Sequence, residues 1–429
     1  MRHPTAYCVL RASAAMTILA VRLAAQSVES RILSAPDGVV RLTYATHAGV
    51  CGDAKNTVAM GHVLYIYPSM ESYGRWSGVQ CVPGPARIEL TMSGHQLSAA
   101  RTRVGGSWGA ASSGDVVTDL GTVPANEAAQ AMLALAGRAE LPRTARETML
   151  AAAIADSATV APGFLRLARD GDRPRDTRRR AVFWYGVTGG PAAVPNLAAM
   201  AKAGDADRSL REAAVSALAQ MPDGAGVTTL IEIANGADDV SLRGKAAFWL
   251  GQADDPRARK ALHTMIEADA TPEKVKSEAI FALSQGDPTS DDVAFLESSY
   301  KRFTSETLKD RVFFSLSQTH DDKAMRWLLS VGADERETVK ARNQALFWAG
   351  QSGVPLADLA RTYDATTEPK VKDHLIFVLS QRSESAAVDK LMAIARTDAN
   401  REMRKKALFW LGQKDDPRVT KMLTDLISR

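Results

Sequence analysis

Through the C-terminal two thirds of the chain one block of apolar and polar positions returns at a nearly fixed interval. Its clearest copy is Glu278-Ala279-Ile280-Phe281-Ala282-Leu283-Ser284-Gln285. Matching blocks are centred on Phe183, Ser216, Phe248, Phe314, Phe347, Phe377 and Phe409, and the successive intervals are 33, 32, 33, 33, 33, 30 and 32 residues. Self-similarity at such a period predicts stacked helical units, each covering the apolar face of the next. On a helical wheel with Val275 at zero, Ala279 falls at about 40°, Leu283 at about 80° and Ala282 at about 340°. These define the buried face. Phe281 and Gln285 fall at about 240° and 280°, well off it, and Phe248, Phe314, Phe347, Phe377 and Phe409 occupy the same place.

Local signals divide each unit into two helices. Asp255 precedes Pro256, and Thr271 precedes Pro272-Glu273, so each pair can cap and open a helix. The same grammar recurs at Thr367-Glu368-Pro369 and Asp416-Pro417. The expectation is a degenerate first repeat over 126–156, eight repeats over about 161–413 and a closing helix over 416–427. Residues 122–429 thus read as an α-solenoid. The preceding segment, 27–121, has short strands instead: Val39 to Tyr44, Val63 to Tyr67 and Ala86 to Thr91, with a turn at Ser93-Gly94 leading into Gln96 to Val104. The fold class is mainly α with a small N-terminal β-rich domain. The Gly- and Ser-rich stretch from Gly105 to Gly121 reads as a linker or a cap.

Val275 to Ser284 and Leu242 to Gly251 resemble the second helix of HEAT repeats, in particular the short bacterial HEAT-like repeats named after phycobilisome lyases. The resemblance runs from about Asn126 to the C-terminus. It implies an α-solenoid that serves as a protein-binding scaffold, without implying one activity. Residues carried on the second helices are the candidate partner-binding set: Phe248, Phe281, Phe314 and Phe347 with Gln252, Gln285, Gln318 and Gln351. Two accounts of them stand: rings packed as a ladder between neighbouring helices, or a displayed stripe that receives a partner. Trp184, Trp249, Trp348 and Trp410 follow the Phe in some copies only and read as gap fillers.

Charge and candidate chemistry change this picture little. The formal charge is +4, and without Arg2, Arg11 and Arg22 of an expected signal peptide, residues 1–25, 50 basic residues face 49 acidic ones. No basic stripe suits a nucleic acid, and no further apolar run suits a membrane span. With the leader removed, Cys51 and Cys81 remain, an even pair that fits a disulfide in an exported, periplasmic or extracellular protein; two free thiols are the alternative. Dinuclear iron hydroxylases of the HEAT-like class carry His-Glu pairs, and here His263, His320 and His374 stand in separate repeats without one. His320-Asp321-Asp322 is the best cluster for a metal, yet paired aspartates in such turns ordinarily cap helices. The reading is therefore a non-catalytic scaffold or adaptor with no cofactor, no metal and an unidentified protein partner, and the alternative is a HEAT-like enzyme of the oxidoreductase or bilin-lyase type.

Overall fold

The computed structural model describes residues 26–60, 63–66, 70–73, 81–109, 114, 116–204, 207–285 and 288–427. The expected signal peptide, Tyr67 and part of the 105–121 stretch lie outside these. The chain divides between Ala225 and Gly226 into two compact units.

The first unit opens with a helix absent from the sequence reading, α1 (Val28–Leu33), capped by Ser27. Strands β1 (Gly38–Tyr44), β6 (Ala86–Ser93), β7 (Gln96–Val104) and β8 (Val117–Thr122) form one sheet in the order β7-β6-β1-β8. Strands β2 (Val50–Gly52), β3 (Thr57–Met60), β4 (Val63–Ile66) and β5 (Met70–Tyr73) form an antiparallel meander. The 105–121 stretch is thus not all linker. Its end is β8, which runs parallel to β1, with Val39 donating its amide to the Val116 carbonyl at 2.8 Å. The β-branched run Val116-Val117-Thr118 supplies the strand propensity that the flanking Gly and Ser conceal. Cys51 and Cys81 form a disulfide.

Helices α2 (Ala125–Arg138) and α3 (Pro142–Ala153) follow, then α4 (Ala161–Arg169) with α5 (Arg175–Gly189) and α6 (Val194–Lys202) with α7 (Arg208–Ala219). The sheet is fastened to α3 by buried polar groups. The backbone amide of Thr102 donates to the Glu147 carboxylate at 2.8 Å, its hydroxyl donates to the Glu147 carbonyl at 3.0 Å, and the Tyr44 hydroxyl donates to the Ala151 carbonyl at 2.6 Å. Glu147 is fully buried. The Glu147 side-chain oxygen satisfies a buried strand amide, and its loss would strand that donor.

The second unit is a run of hairpins: α8 (Val227–Gly236) with α9 (Val240–Gly251), α10 (Pro256–Glu267) with α11 (Glu273–Gln285), and α12 (Ser290–Tyr300) with α13 (Glu306–Gln318). Then come α14 (Asp322–Ala333) with α15 (Val339–Gln351), α16 (Leu356–Ala365) with α17 (Pro369–Ser380), α18 (Ser385–Thr397) with α19 (Arg401–Leu411), and α20 (Pro417–Ile427). Asp255 caps α10 and Glu368 caps α17 through their side chains, as the Asp-Pro and Glu-Pro spacing requires. Helix α11 begins at Glu273, so Pro272 rather than Thr271 precedes it.

Consecutive second helices, α9, α11, α13, α15, α17 and α19, lie against one another. The wheel positions hold: Val275, Ala279, Ala282 and Leu283 are buried. A Cβ on Gly251 would stand 2.4 Å from the Ala282 carbonyl oxygen, so this glycine lets α9 close onto α11. Within four hairpins a polar bond adds to the apolar packing. Arg243 donates through Nε to the Ala234 carbonyl at 2.9 Å and Arg342 to the Gly332 carbonyl at 3.0 Å; in the first unit Arg178 and Arg211 do the same to Ala168 and Ala201 at 3.2 and 3.1 Å. Each guanidinium thereby answers a carbonyl at the C-terminal end of the preceding first helix, where orphan acceptors and the negative end of the dipole favour a cation.

Replacing Glu147 by Leu should lower the stability of the first unit by about 2 to 4 kcal/mol, and Glu147→Gln by clearly less, because the amide oxygen still accepts. Urea unfolding followed by near-UV circular dichroism checks both; equal losses would show that burial alone, and not the acceptor, matters there.

Candidate functional site

The second helices of the second unit carry the residues singled out by the repeat. Each ladder Phe projects off the buried face, so only the neighbouring second helix can cover it. Phe248 and Phe281 stack with centroids 6.2 Å apart and planes 17° from parallel; Phe281 and Phe314 follow at 5.8 Å and 21°, and Phe347 and Phe377 at 6.5 Å and 5°. Between them Trp348 meets Phe314 edge-on at 5.0 Å, and Trp410 meets Phe377 at 5.4 Å. The tryptophans therefore complete the ladder. The rings are half-buried, which joins the two accounts the sequence left open: they pack on one another and still show a face to solvent. Gln252, Gln285, Gln318 and Gln351 are exposed beside them. Phe409, with no later second helix to cover it among the described residues, is 59% exposed.

A recess of about 750 Å³ opens between α15 and α17, lined by Lys340, Asn343, Gln344, Phe347, His374 and Phe377 among others. Of these residues' polar atoms, Asn343 Oδ1 and His374 Nε2 are buried from solvent without a hydrogen-bond partner. Burial pushes the His374 imidazole below its ordinary pKa, against the pull of the Asn343 backbone and the Asp373 carboxylate. Sequence reading set His374 aside as a lone helical His and did not single out Asn343. The signal that could have found them is the register: they stand four and three residues ahead of their ladder Phe, where two other steps place pairs that bond to each other, Ser277 with Arg311 and Asp373 with Lys406.

The remaining candidates resolve into structural ties. Asp321 caps α14, accepting from the amides of Lys323 and Ala324 at 2.8 and 2.9 Å, and His320 turns its Nδ1 to the Gln318 carbonyl at 2.9 Å. Among the described residues no group of three or more His, Cys, Asp and Glu is placed to hold a metal ion. None of their helices is long and apolar enough to cross a membrane.

Residues 210–236 match the family model described as the PBS lyase HEAT-like repeat. No curated protein gives a significant match to the sequence. Among solved structures, human deoxyhypusine hydroxylase in complex with glycerol is 20% identical, over 59% of this chain and 94% of that one, with a TM-score of 0.26. The complex of CpcE and CpcF of phycocyanin lyase from Nostoc sp. PCC7120 is 19% identical, over 54% and 92%, at 0.29. Lipovitellin is 12% identical, over 88% and 45%, at 0.46. At such identities these structures speak to the repeat architecture alone: the chain is mainly α, with HEAT-like helical repeats and a small N-terminal β-rich part. They also correct one expectation. Two of them, a hydroxylase and a lyase by name, are enzymes, so a chain of such repeats is not on that account a non-enzyme, and the assignment of this one as catalytically inert is withdrawn.

One tie between first helices yields a pH dependence. Asp292, 1% exposed, accepts from the Thr289 amide at 2.9 Å and hydroxyl at 2.8 Å, holds His263 Nε2 at 2.9 Å and pairs with Arg259. Burial pushes its carboxyl up, but the Thr289, His263 and Arg259 contacts outweigh this and hold it below the ordinary 3.8. A depressed folded pKa contributes stability that is present above the unfolded value and is lost as pH falls through the folded one. Asp292→Asn should therefore cost about 3 kcal/mol at neutral pH and progressively less below about pH 4. Thermal melts of both proteins across acid pH check this; a difference that does not shrink would assign the loss to packing.

Proposed function

We propose that the second-helix face of the second unit binds an extended segment of a protein partner along the ladder Phe248, Phe281, Phe314, Phe347 and Phe377. The observation that carries this reading is the ring spacing. The stacked pairs Phe248–Phe281, Phe281–Phe314 and Phe347–Phe377 stand 6.2, 5.8 and 6.5 Å apart, and Trp348 bridges Phe314 and Phe347 at 5.0 Å from each. An extended chain repeats its side chains on one face every two residues, about 6.6 Å. A strand laid along the ladder would therefore offer one side chain to each step. Half-buried aromatics supply large contact area with little rotamer entropy to lose, and the exposed amides of Gln252, Gln285, Gln318 and Gln351 supply donors and acceptors for a bound backbone. The bound segment can belong to a stable partner or to a protein substrate; the surface serves either.

Export belongs to the same proposal. It is supported by the Cys51–Cys81 bond, which suits an oxidising compartment, together with the leader pattern expected in residues 1–25.

Photo-crosslinking tests the surface. A benzophenone side chain at Gln285 or Gln318 should trap one and the same protein in cells, while the same group at Lys260 or Arg326, exposed on first helices, should not. The adduct should disappear in a Phe281→Ser, Phe314→Ser variant whose melting is otherwise close to that of the parent. Adducts confined to the first-helix sites would overturn the reading. Export is checked by alkylating intact cells before lysis: Cys51 and Cys81 should resist a thiol reagent until a reductant is added, and immediate labelling of both would contradict it.

A further inference from the structure

The β-rich part of the first unit brings an imidazole and a thioether together in a contact that the hydrogen bonds of a neutral ring do not account for. His47 Nδ1 lies 3.0 Å from the Ala48 carbonyl oxygen, and its Nε2 lies 3.2 Å from Met60 Sδ. A carbonyl only accepts, so the proton of a neutral ring sits on Nδ1. Nε2 then presents a bare lone pair to a sulfur that offers only lone pairs of its own. Two such donors attract each other only through a cation that both can bind. The backbone holds both in place. His47 opens a turn in which the Val50 amide donates to the His47 carbonyl at 3.3 Å, and Gly49 takes the positive φ, 84°, that the third place of such a turn requires. The His47 amide donates in turn to the Ile154 carbonyl, just past the end of α3, at 3.2 Å. Val50 begins β2 and stands opposite Met60 of β3 in the antiparallel register, so both side chains hang from one strand pair. Met60 is 8% exposed and His47 half-buried, while Ala48 and Gly49 beside it are exposed. The pair is sheltered and still reachable from solvent.

From this geometry we infer that His47 Nε2 and Met60 Sδ are two ligands for a soft monovalent cation, Cu(I). A first-row metal ion stands about 2.0 Å from an imidazole nitrogen and about 2.3 Å from a sulfur, which puts two such donors about 3.0 to 3.5 Å apart at bond angles of about 90 to 110°. The observed 3.2 Å falls in that range. A bond from Nδ1–H to a backbone carbonyl is also the outer contact that fixes the tautomer and ring orientation of a metal-bound histidine. The donor types select the ion. An uncharged thioether is a soft ligand that suits Cu(I), whereas Mg(II) and Ca(II) take oxygen. Zn(II) requires a fuller set of nitrogen, thiolate or carboxylate ligands, and among the described residues no group of three or more His, Cys, Asp and Glu supplies one. Cu(I), with its closed d shell, accepts a low coordination number, and its remaining positions are open to water or to a donor from another molecule. The sequence expectation of no metal weighed His, Cys and carboxylates and took no account of methionine.

The site makes no use of the ladder, so it stands or falls apart from the binding surface. The test uses the full chain with ¹³C in its methionine methyl groups and ¹⁵N in its histidines, carrying Cys8→Ser because Cys8 is the one cysteine outside the Cys51–Cys81 bond. Signals of the two residues are assigned from Met60→Leu and His47→Gln, and Cu(I) is supplied without oxygen as its acetonitrile complex. A stoichiometric amount should move the Met60 methyl signal to completion and shift His47 Nε2, while Nδ1 keeps the signature of a protonated nitrogen. In His47→Gln the Met60 signal should need at least about tenfold more Cu(I) to move. Zn(II) should leave both residues in place. A Met60 signal indifferent to Cu(I), one that moves equally with Zn(II), one that moves while the His47 nitrogens stay unchanged, or one that responds undiminished in His47→Gln would each overturn the assignment. Because the parent chain alone reports both ligands, a variant that failed to fold would leave the outcome decided by the paired Met60 and His47 shifts.

Discussion

A helical hairpin of this size has an apolar stripe that it cannot cover alone, and everything else in the helical part follows from that constraint. Val275, Ala279 and Leu283 are buried because other helices lie on them. Small residues at the contact, Gly251 above all, bring second helices close enough for the next side chain out, the ladder Phe, to reach its counterpart. Stacking of the rings is thus a by-product of core packing. It places half-buried aromatic surface in register at every step, and this gives the face the capacity to bind.

The helical part was readable in the sequence because its determinants are local and repeated. Period, caps and wheel angle are each set within about 30 residues, and each of several copies confirms the others. Strand β8 was not readable, since the signal of Val117-Thr118 is short and its stability comes from β1, nearly 80 residues away in sequence. Glu147 was concealed for a related reason. Nothing around it marks a buried carboxylate, and its reason for being there is the Thr102 amide of a distant strand. The Phe and Gln positions were legible as a stripe, but whether the rings faced one another or solvent depends on the distance between neighbouring helices, which no single helix specifies.

The recess shows a different limit. Sequence reading looks for residues that carry chemistry, whereas the positions four and three ahead of each ladder Phe change from step to step, Ser277 with Arg311, Asp310 with Gln344, Asn343 with His374 and Asp373 with Lys406, and only their alignment by ladder register brings them together. Read along one helix, His374 is an ordinary residue beside Leu375. Deviations from a repeat are informative because the repeat itself states what the unmodified step would contain. Two steps contain a bonded pair there, Ser277 with Arg311 and Asp373 with Lys406, whereas the α15–α17 step leaves Asn343 Oδ1 and His374 Nε2 buried without partners.

The arginines that tie four of the second helices to the end of their first, among them Arg243 and Arg342, have a consequence beyond capping. Because the orphan carbonyl and its donor belong to the same hairpin, that polar requirement is closed inside the unit and does not pass across the junction to the next. The junctions between second helices rest on apolar contact and ring stacking, with side-chain pairs such as Arg311 with Ser277 and Lys406 with Asp373 added at some steps. A hairpin duplicated or deleted as a whole would therefore keep these bonds intact, while the side chains that pair across its junctions, Asp292 with His263 and Arg311 with Ser277 among them, would need a matching neighbour.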